Sequence, residues 1–287
     1  MRKKTVKEIS LTAQQLRQLQ LIQLEMLLEV DRICTQHSIR YSIDGGTLLG
    51  AVRHGGFIPW DDDIDLIMTR KEYEKFFEVC RTALDTERFF LQEHRTDPHY
   101  RVGYSRLRRK HTVYIRAGHE GMNYHTGVLI DIFVLDNVPD AKSLRCLHRG
   151  LCFCFRKILW SKSGSIVSDS AFVRGLYALI SFIPPGFAFW GFDALARVCN
   201  RRKTLFVKHY AMTYPNPRRN GFGTPAGFMD AYTRLPFEGH MVCAVSGYDA
   251  YLTLLYSDYM TPPPPEQRKP RIHLSAFSPV NDDSAQP

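Results

Sequence analysis

The sequence predicts a mixed α/β fold of the α+β kind: a mixed sheet with flanking helices, followed by a long helical segment. Three observations predict it. Strand-period and helix-period segments alternate over the first 139 residues, and several short strands then follow one another. Residues 141–209 read as almost uninterrupted helix. Composition is that of a globular chain, with 44% hydrophobic and 23% charged among 287 residues, which excludes disordered, collagen-like and disulfide-scaffold proteins. The net charge of +9 favours anionic partners and is silent about fold.

The elements follow in order. Residues 1–10 are a short basic lead without the apolar core of a secretion signal. Residues 12–37 form an amphipathic helix: Thr12 and Gln15 fit a capping box, and Leu16, Leu19, Ile22, Met26, Leu27, Val30 and Ile33 recur at helical spacing. Its only expected job is to cover a core. A strand over 41–44 runs into the turn Gly45-Gly46, and a short helix over 47–54 follows. The turn GGFIPW delivers the chain into DDDIDLIMT, whose alternation predicts a strand over 63–69. Residues 70–84 form a second amphipathic helix, and strands are expected over 89–93, 101–107, 112–116 and 128–135.

Within the helical segment, residues 175–192 carry no charge. Eighteen such residues reach the lower limit of a membrane span, but Pro184-Pro185-Gly186 interrupts them at the centre. A buried helix-turn-helix and a shallow membrane-contacting hairpin both remain open. The Pro-rich end predicts a disordered tail. The expected division is a catalytic core over 1–139, a helical region over 140–231, a segment packing back on the core over 232–265, and the tail over 266–287. The seven cysteines form no CxxC pair and read as reduced thiols, with Cys152 and Cys154 in an apolar run. A cytoplasmic protein follows as the expectation.

The chemistry concentrates in IDGGTLLGAVRHGGFIPWDDDIDL. Asp63 and Asp65, two apart on a strand, share a face, and like charges there repel unless a cation lies between them. Carboxylates of this kind suit Mg²⁺, with Mn²⁺ as the alternative, and leave part of its shell to substrate phosphates. Glycines at a strand-to-helix turn let backbone amides approach a phosphate. Asp131, in the apolar run GVLIDIFVLD, is a third acid whose burial is costly unless it is paired or bound to metal. Asp61 reads as an accessory ligand and Asp62 as a bystander.

Glycine pair, DxD and the later h-D-h strand together make the pattern of the nucleotidyltransferase fold. Sixteen residues separate Gly46 from Asp63, more than most members allow, and RHGGFIPWDD occupies the difference. With this insertion, DGGTLLGAVRHGGFIPWDDDIDL resembles the LicD family of phosphotransferases, which includes the fukutin-related proteins. RLRRKHTVYI, GVLIDIFVLDNVP and FEGHMVCAVSGYDAYLTLLYSDYMTPPP resemble the later blocks of the family. Ser257 stands where the family usually has glycine, and no proline lies near Val245.

The resemblance implies transfer of a phospho-alcohol, phosphocholine first, from a CDP-activated donor to a sugar hydroxyl of a surface glycan such as lipopolysaccharide, teichoic acid or capsule, with release of CMP. It implies Asp61, Asp63, Asp65 and Asp131 as metal-binding acids, with Asp131 or Asp65 taking the acceptor's proton. Gly45, Gly46 and Thr47 would contact donor phosphate. Arg53, Arg106 and Arg108 are candidates for stabilising negative charge, and His54 for touching phosphate. Glu238, beside Tyr248 in the C-terminal block, is a candidate substrate contact, with a structural ion pair as the other reading. His273 is a weaker candidate. Two other functions stay open: a nucleotidyltransferase moving NMP from an NTP to a small molecule, and a non-catalytic basic protein that binds membrane or nucleic acid. Nucleic acid is not expected as a partner, because the clustered aspartates repel polyanions. Peripheral membrane contact is compatible with a lipid-linked acceptor.

Overall fold

The computed structural model describes residues 8–212, 223–270 and 272–280. Its central element is a seven-stranded mixed sheet. Strands β1 (Ser42–Ile43), β2 (Asp65–Thr69), β3 (Phe89–Gln92), β4 (Ser105–Arg109), β6 (Leu129–Asn137), β7 (Phe206–Lys208) and β8 (Thr224–Pro225) build it, and β5 (Val113–Arg116) lies outside it. The main path runs β1-β2-β6-β4-β3, with β7 on β6 and β8 on β7. Only β2 and β6 run parallel. The first eight residues of β6 are all buried, as a strand covered on both faces requires.

Helices α1 (Ala13–Gln36), α2 (Gly45–His54) and α3 (Arg70–Ala83) flank the sheet. The capping box forms: the Gln15 amide donates to Thr12 Oγ1, and the Thr12 amide to Gln15 Oε1. Helix α1 also has a task beyond covering the core. Gln23, fully buried, donates to the carbonyls of Asp62 and Leu129 at 3.1 and 3.2 Å. Gln20 donates to the Asp61 carbonyl at 3.0 Å. The two glutamines pin the acidic loop to the helix and to β6.

The helical segment holds α4 (Lys142–Val167), α5 (Ala171–Ile180) and α6 (Pro185–Cys199), and ends earlier than expected because β7 follows and joins the sheet. It has its own small core of Cys152, Ile158, Leu159, Ala188, Phe189, Phe192, Ala196 and Tyr210. The uncharged stretch spans the junction of α5 and α6, which bend by 77° at the prolines. Among the described residues no single helix is long and apolar enough to cross a membrane, though this bent pair passes by length and composition. Cys154 is exposed, unlike buried Cys152, because the two thiols fall on different sides of α4.

The hairpin β9 (Tyr232–Phe237) and β10 (His240–Val245), with α7 (Tyr248–Tyr256), packs against β1 and α2. Ser257 has φ +63°, a conformation glycine adopts at less cost, which accounts for the glycine expected there. The tail expected to be disordered over 266–287 is ordered in part. Residues 274–278 form β11 (Leu274–Ser278), antiparallel to β5, while residues 281–287 lie outside the described residues.

Replacing Gln23 with Leu leaves two buried carbonyls without donors, so Gln23→Leu is expected to lower stability by about 2–4 kcal/mol in urea unfolding.

Candidate active site

The parallel pair brings the acids together. Asp65 opens β2 and is the register partner of Asp131 on β6. The Asp131 amide donates to the Ile64 carbonyl, and the Asp44 amide to the Asp65 carbonyl, both at 2.9 Å. Asp63 lies in the loop before β2 rather than on the strand, because pairing with β6 starts only at Asp65. One carboxylate oxygen from each of Asp61, Asp62 and Asp63 lies within 4.8 Å of the others. Burial pushes the Asp65 carboxyl well above the usual carboxylate range, and the charges of Asp63, Asp131, Asp44 and Asp61 push it further the same way.

Gly45 and Gly46 are the first turn of α2, not a turn before it. A Cβ on Gly46 would come within 2.5 Å of Asp61 Oδ2. Gly45 has φ +54°, and a Cβ there would meet Asp65 Oδ2 at 3.5 Å. Glycine therefore lets two carboxylates lie directly against a helix N-terminus, whose first amides have no acceptor within the helix. Thr47 is buried and accepts from the Asp65 amide at 3.0 Å, so its hydroxyl joins α2 to β2. Asp62 is a structural group: its Oδ2 accepts from the Ile272 amide at 2.9 Å.

Asp131 is already paired. Its Oδ1 accepts from Arg106 Nε at 2.8 Å and its Oδ2 from Arg116 Nη2 at 3.2 Å. Burial works against its ionisation, but Arg106 and then Arg116 outweigh it and hold the carboxyl below its ordinary range. Arg106 is 2% exposed and spends its Nε on this pair. Arg108, on the same face of β4, donates to Gln92 Oε1 at 2.8 Å and the Gly127 carbonyl at 2.6 Å. Burial and then Arg106 lower its pKa to about 10. Arg108, expected from sequence to stabilise negative charge at the site, is 2% exposed and turns Nε and Nη1 into the sheet.

Other candidates fall away from the acids. Arg53 and His54 end α2, about 12 Å of helix rise from its glycines. Arg53 donates to the Tyr259 carbonyl at 2.9 Å, and the His54 ring meets Trp60 edge-on. Glu238 takes the structural reading: it accepts from Arg17 at 2.7 Å and from the Phe57 amide at 3.1 Å, bracing the GGF turn. His273 forms an exposed pair with Glu8 at 3.0 Å.

Sequence reasoning missed Asp44, Arg116, Tyr251 and Tyr256. Tyr251 donates to Asp44 Oδ1 at 2.6 Å, and Tyr256 Oη would lie 3.7 Å from a Cβ on Gly45. Asp44 did carry a signal, because an aspartate directly before a helix is a favoured N-cap. Arg116 and the tyrosines carried none, since they reach the site only through tertiary pairing.

The donor set fits an oxygen-liganded divalent cation. Carboxylate oxygens of Asp61, Asp62 and Asp63 lie within 4.8 Å of one another, the charges of Asp61 and Asp63 act on Asp65, and Gly46 leaves Asp61 room that any side chain would fill. Raising a carboxyl pKa on folding stabilises the protein at low pH and is lost as pH rises through the folded value. In metal-free protein Asp65→Asn should therefore raise the unfolding free energy at pH 7.5 by about 1 kcal/mol. The gain should shrink as pH falls toward the ordinary carboxylate range, as read by thermal melts across pH.

The LicD/FKTN/FKRP nucleotidyltransferase domain matches residues 38–128, which hold α2, the acidic loop and β2 to β5. The lipopolysaccharide cholinephosphotransferase LicD of Haemophilus influenzae is 29% identical over 271 residues, covering 91% of this chain and 97% of that protein. The ribitol 5-phosphate transferase FKRP of human and mouse is 64% identical over 28 residues, 10% of this chain and 6% of theirs. The domain match over residues 38–128 and the near full-length likeness point the same way as the acidic site built on β2 and β6, toward a transferase of phosphate-containing groups.

Proposed function

We propose that the protein transfers a phospho-alcohol, phosphocholine in the first instance, from a CDP-activated donor to a sugar hydroxyl of a cell-surface glycan, releasing CMP. The observation that carries this reading is the acidic cluster at the glycine turn of α2, with Asp61 against Gly46, Asp65 against Gly45 and Asp63 within reach of Asp61. The likeness to LicD supports the choice of reaction. A Mg²⁺ or Mn²⁺ ion held by Asp61 and Asp63, with Asp65 beside them, would neutralise charge on the donor diphosphate and the departing CMP.

The chain's own groups do the rest. The first amides of α2 and its dipole orient the donor phosphates. The acceptor oxygen attacks the β-phosphorus, the bond from that phosphorus to the CMP oxygen breaks, and the acceptor's proton passes to a carboxylate. Between the two candidates, ion pairing favours Asp65: both oxygens of Asp131 are engaged by Arg106 and Arg116, which weakens its affinity for a proton. Asp131 instead fixes these arginines next to the reaction.

Residues 141–209 carry twelve Lys and Arg against two Asp and Glu, so this stretch alone outweighs the +9 of the whole chain. The same helices expose Phe172, Leu176, Leu179, Phe182, Phe187 and Trp190, with Phe182 84% exposed. The basic groups of this stretch, together with the apolar side chains of the bent helix pair, match an anionic lipid surface, where a lipid-linked acceptor would lie.

CDP-choline, CDP-ribitol and CDP-glycerol with Mg²⁺ and a lipid-linked glycan should release CMP, and Asp63→Asn or Asp65→Asn should lower that rate at least 1,000-fold, on the scale of losing an essential electrostatic group. Pyrophosphate release from an NTP, with no turnover of any CDP-alcohol, would replace this reading with nucleotidyl transfer. In sedimentation with vesicles, the protein should pellet with phosphatidylglycerol and not with phosphatidylcholine alone, and Phe182→Ser with Trp190→Ser should weaken pelleting at least tenfold.

A further inference from the structure

Beyond Asp131 lies a cavity of about 220 Å³ between the loop before β4, β5 and helix α4. Arg101, Arg106, Arg116 and Arg156 line it together with Tyr104 and Trp160, and no Asp or Glu is among its lining residues. His119, also in the lining, is held neutral: burial, then Arg106, Arg116 and Arg108, push its pKa down to about 4. Asp131 stands behind Arg106 and Arg116 as the carboxylate they share among the described residues. Arg101 has only neutral acceptors, the carbonyls of Ile158 and Leu159 and Ser161 Oγ. Arg156 lies over the Phe153 ring with no carboxylate in reach among the described residues. Arg116 Nε is buried without a partner.

Such a wall attracts an anion and repels a cation. The aromatic rings therefore do not make a choline box, since a quaternary ammonium needs an aromatic cage without competing guanidinium groups. The volume is below the roughly 300–1,000 Å³ of drug-sized sites, which suits one sugar unit better than a whole nucleoside diphosphate. Position separates it from the donor phosphates. Those face the glycine turn of α2, on the Asp61 side of the acids, whereas this cavity reaches the acids through Asp131, the register partner of Asp65. In-line displacement brings attacking and leaving oxygens from opposite sides of the phosphorus.

We infer that this cavity is the acceptor subsite and selects a glycan unit bearing a phosphate near the hydroxyl that is modified. The anion seats on Arg101, Arg116 and Arg156, and the sugar ring lies against Trp160 and Tyr104. This rests on the transfer reaction above but is tested without it.

Isothermal titration of the full chain, with glucose 6-phosphate, glycerol 3-phosphate, glucose and CMP as probes, reads it directly. At least one sugar or polyol phosphate should bind without divalent metal, at least tenfold more tightly than glucose, and more weakly as salt rises. Arg156→Gln, a half-buried position whose change leaves the sheet untouched, should weaken that binding at least fivefold, and Trp160→Leu should weaken it as well. CMP affinity measured with Mg²⁺ should change less than twofold in Arg156→Gln. Equal binding of glucose and its phosphate, or no binding of either phosphate, overturns the inference. Equal weakening of CMP and sugar phosphate by Arg156→Gln overturns it too, by giving the cavity to the donor. If the phosphate binds as stated while no CDP-alcohol turns over, the donor reading falls and the anion subsite stands. Turnover of a CDP-alcohol without sugar-phosphate binding removes the subsite alone.

Discussion

Crowding of carboxylates at the start of the parallel β2–β6 pair is the constraint around which this molecule is arranged. Asp44, Asp61, Asp63 and Asp131 all act on one half-buried carboxyl, that of Asp65. Chains do not gather charge of one sign in this way for stability, because each added negative charge makes the next harder to bury. The structure offsets part of it. Asp131 is neutralised by two arginines, Asp62 is turned into a backbone acceptor, and Asp61 lies against the positive end of α2.

This division of labour among the acids was partly readable from sequence. The DxD spacing, the glycine pair and the lone aspartate in an apolar strand each express a local rule of backbone geometry or burial cost, and the structure places Asp61, Asp63, Asp65 and Asp131 in one neighbourhood. The capping box at Thr12 is equally local and equally visible. What stayed hidden was the use of each group. Arg106 and Arg108 look alike in RLRRK, yet one meets Asp131 and the other Gln92, because their neighbours come from different strands. Glu238 could be read either way, and only the approach of Arg17, 221 residues away, decides it. Strand β11 was invisible for the same reason: a polar, Pro-rich stretch has no pattern of its own, and β5 supplies its partner.

Helix α4 connects the two surfaces on which function is proposed. Its residues Arg156, Leu159 and Trp160 line the arginine cavity, while the helix packs along α5 and α6, which carry the exposed apolar side chains. A group bound in the cavity and a lipid surface met by α5 and α6 would therefore share one rigid element. The small core of this segment, separate from the main one, gives the helices a fixed shape of their own.

The hydrogen bond from the Ile272 amide to Asp62 closes a loop of 210 residues. The Ile9 amide bonds to the Leu274 carbonyl close by, so the first and last described segments meet at the same strand. Closing so long a loop costs chain entropy that the contacts at its ends must repay. The acidic loop is therefore held from both ends of the chain, by the glutamines of α1 and by the segment that returns to pair with β5.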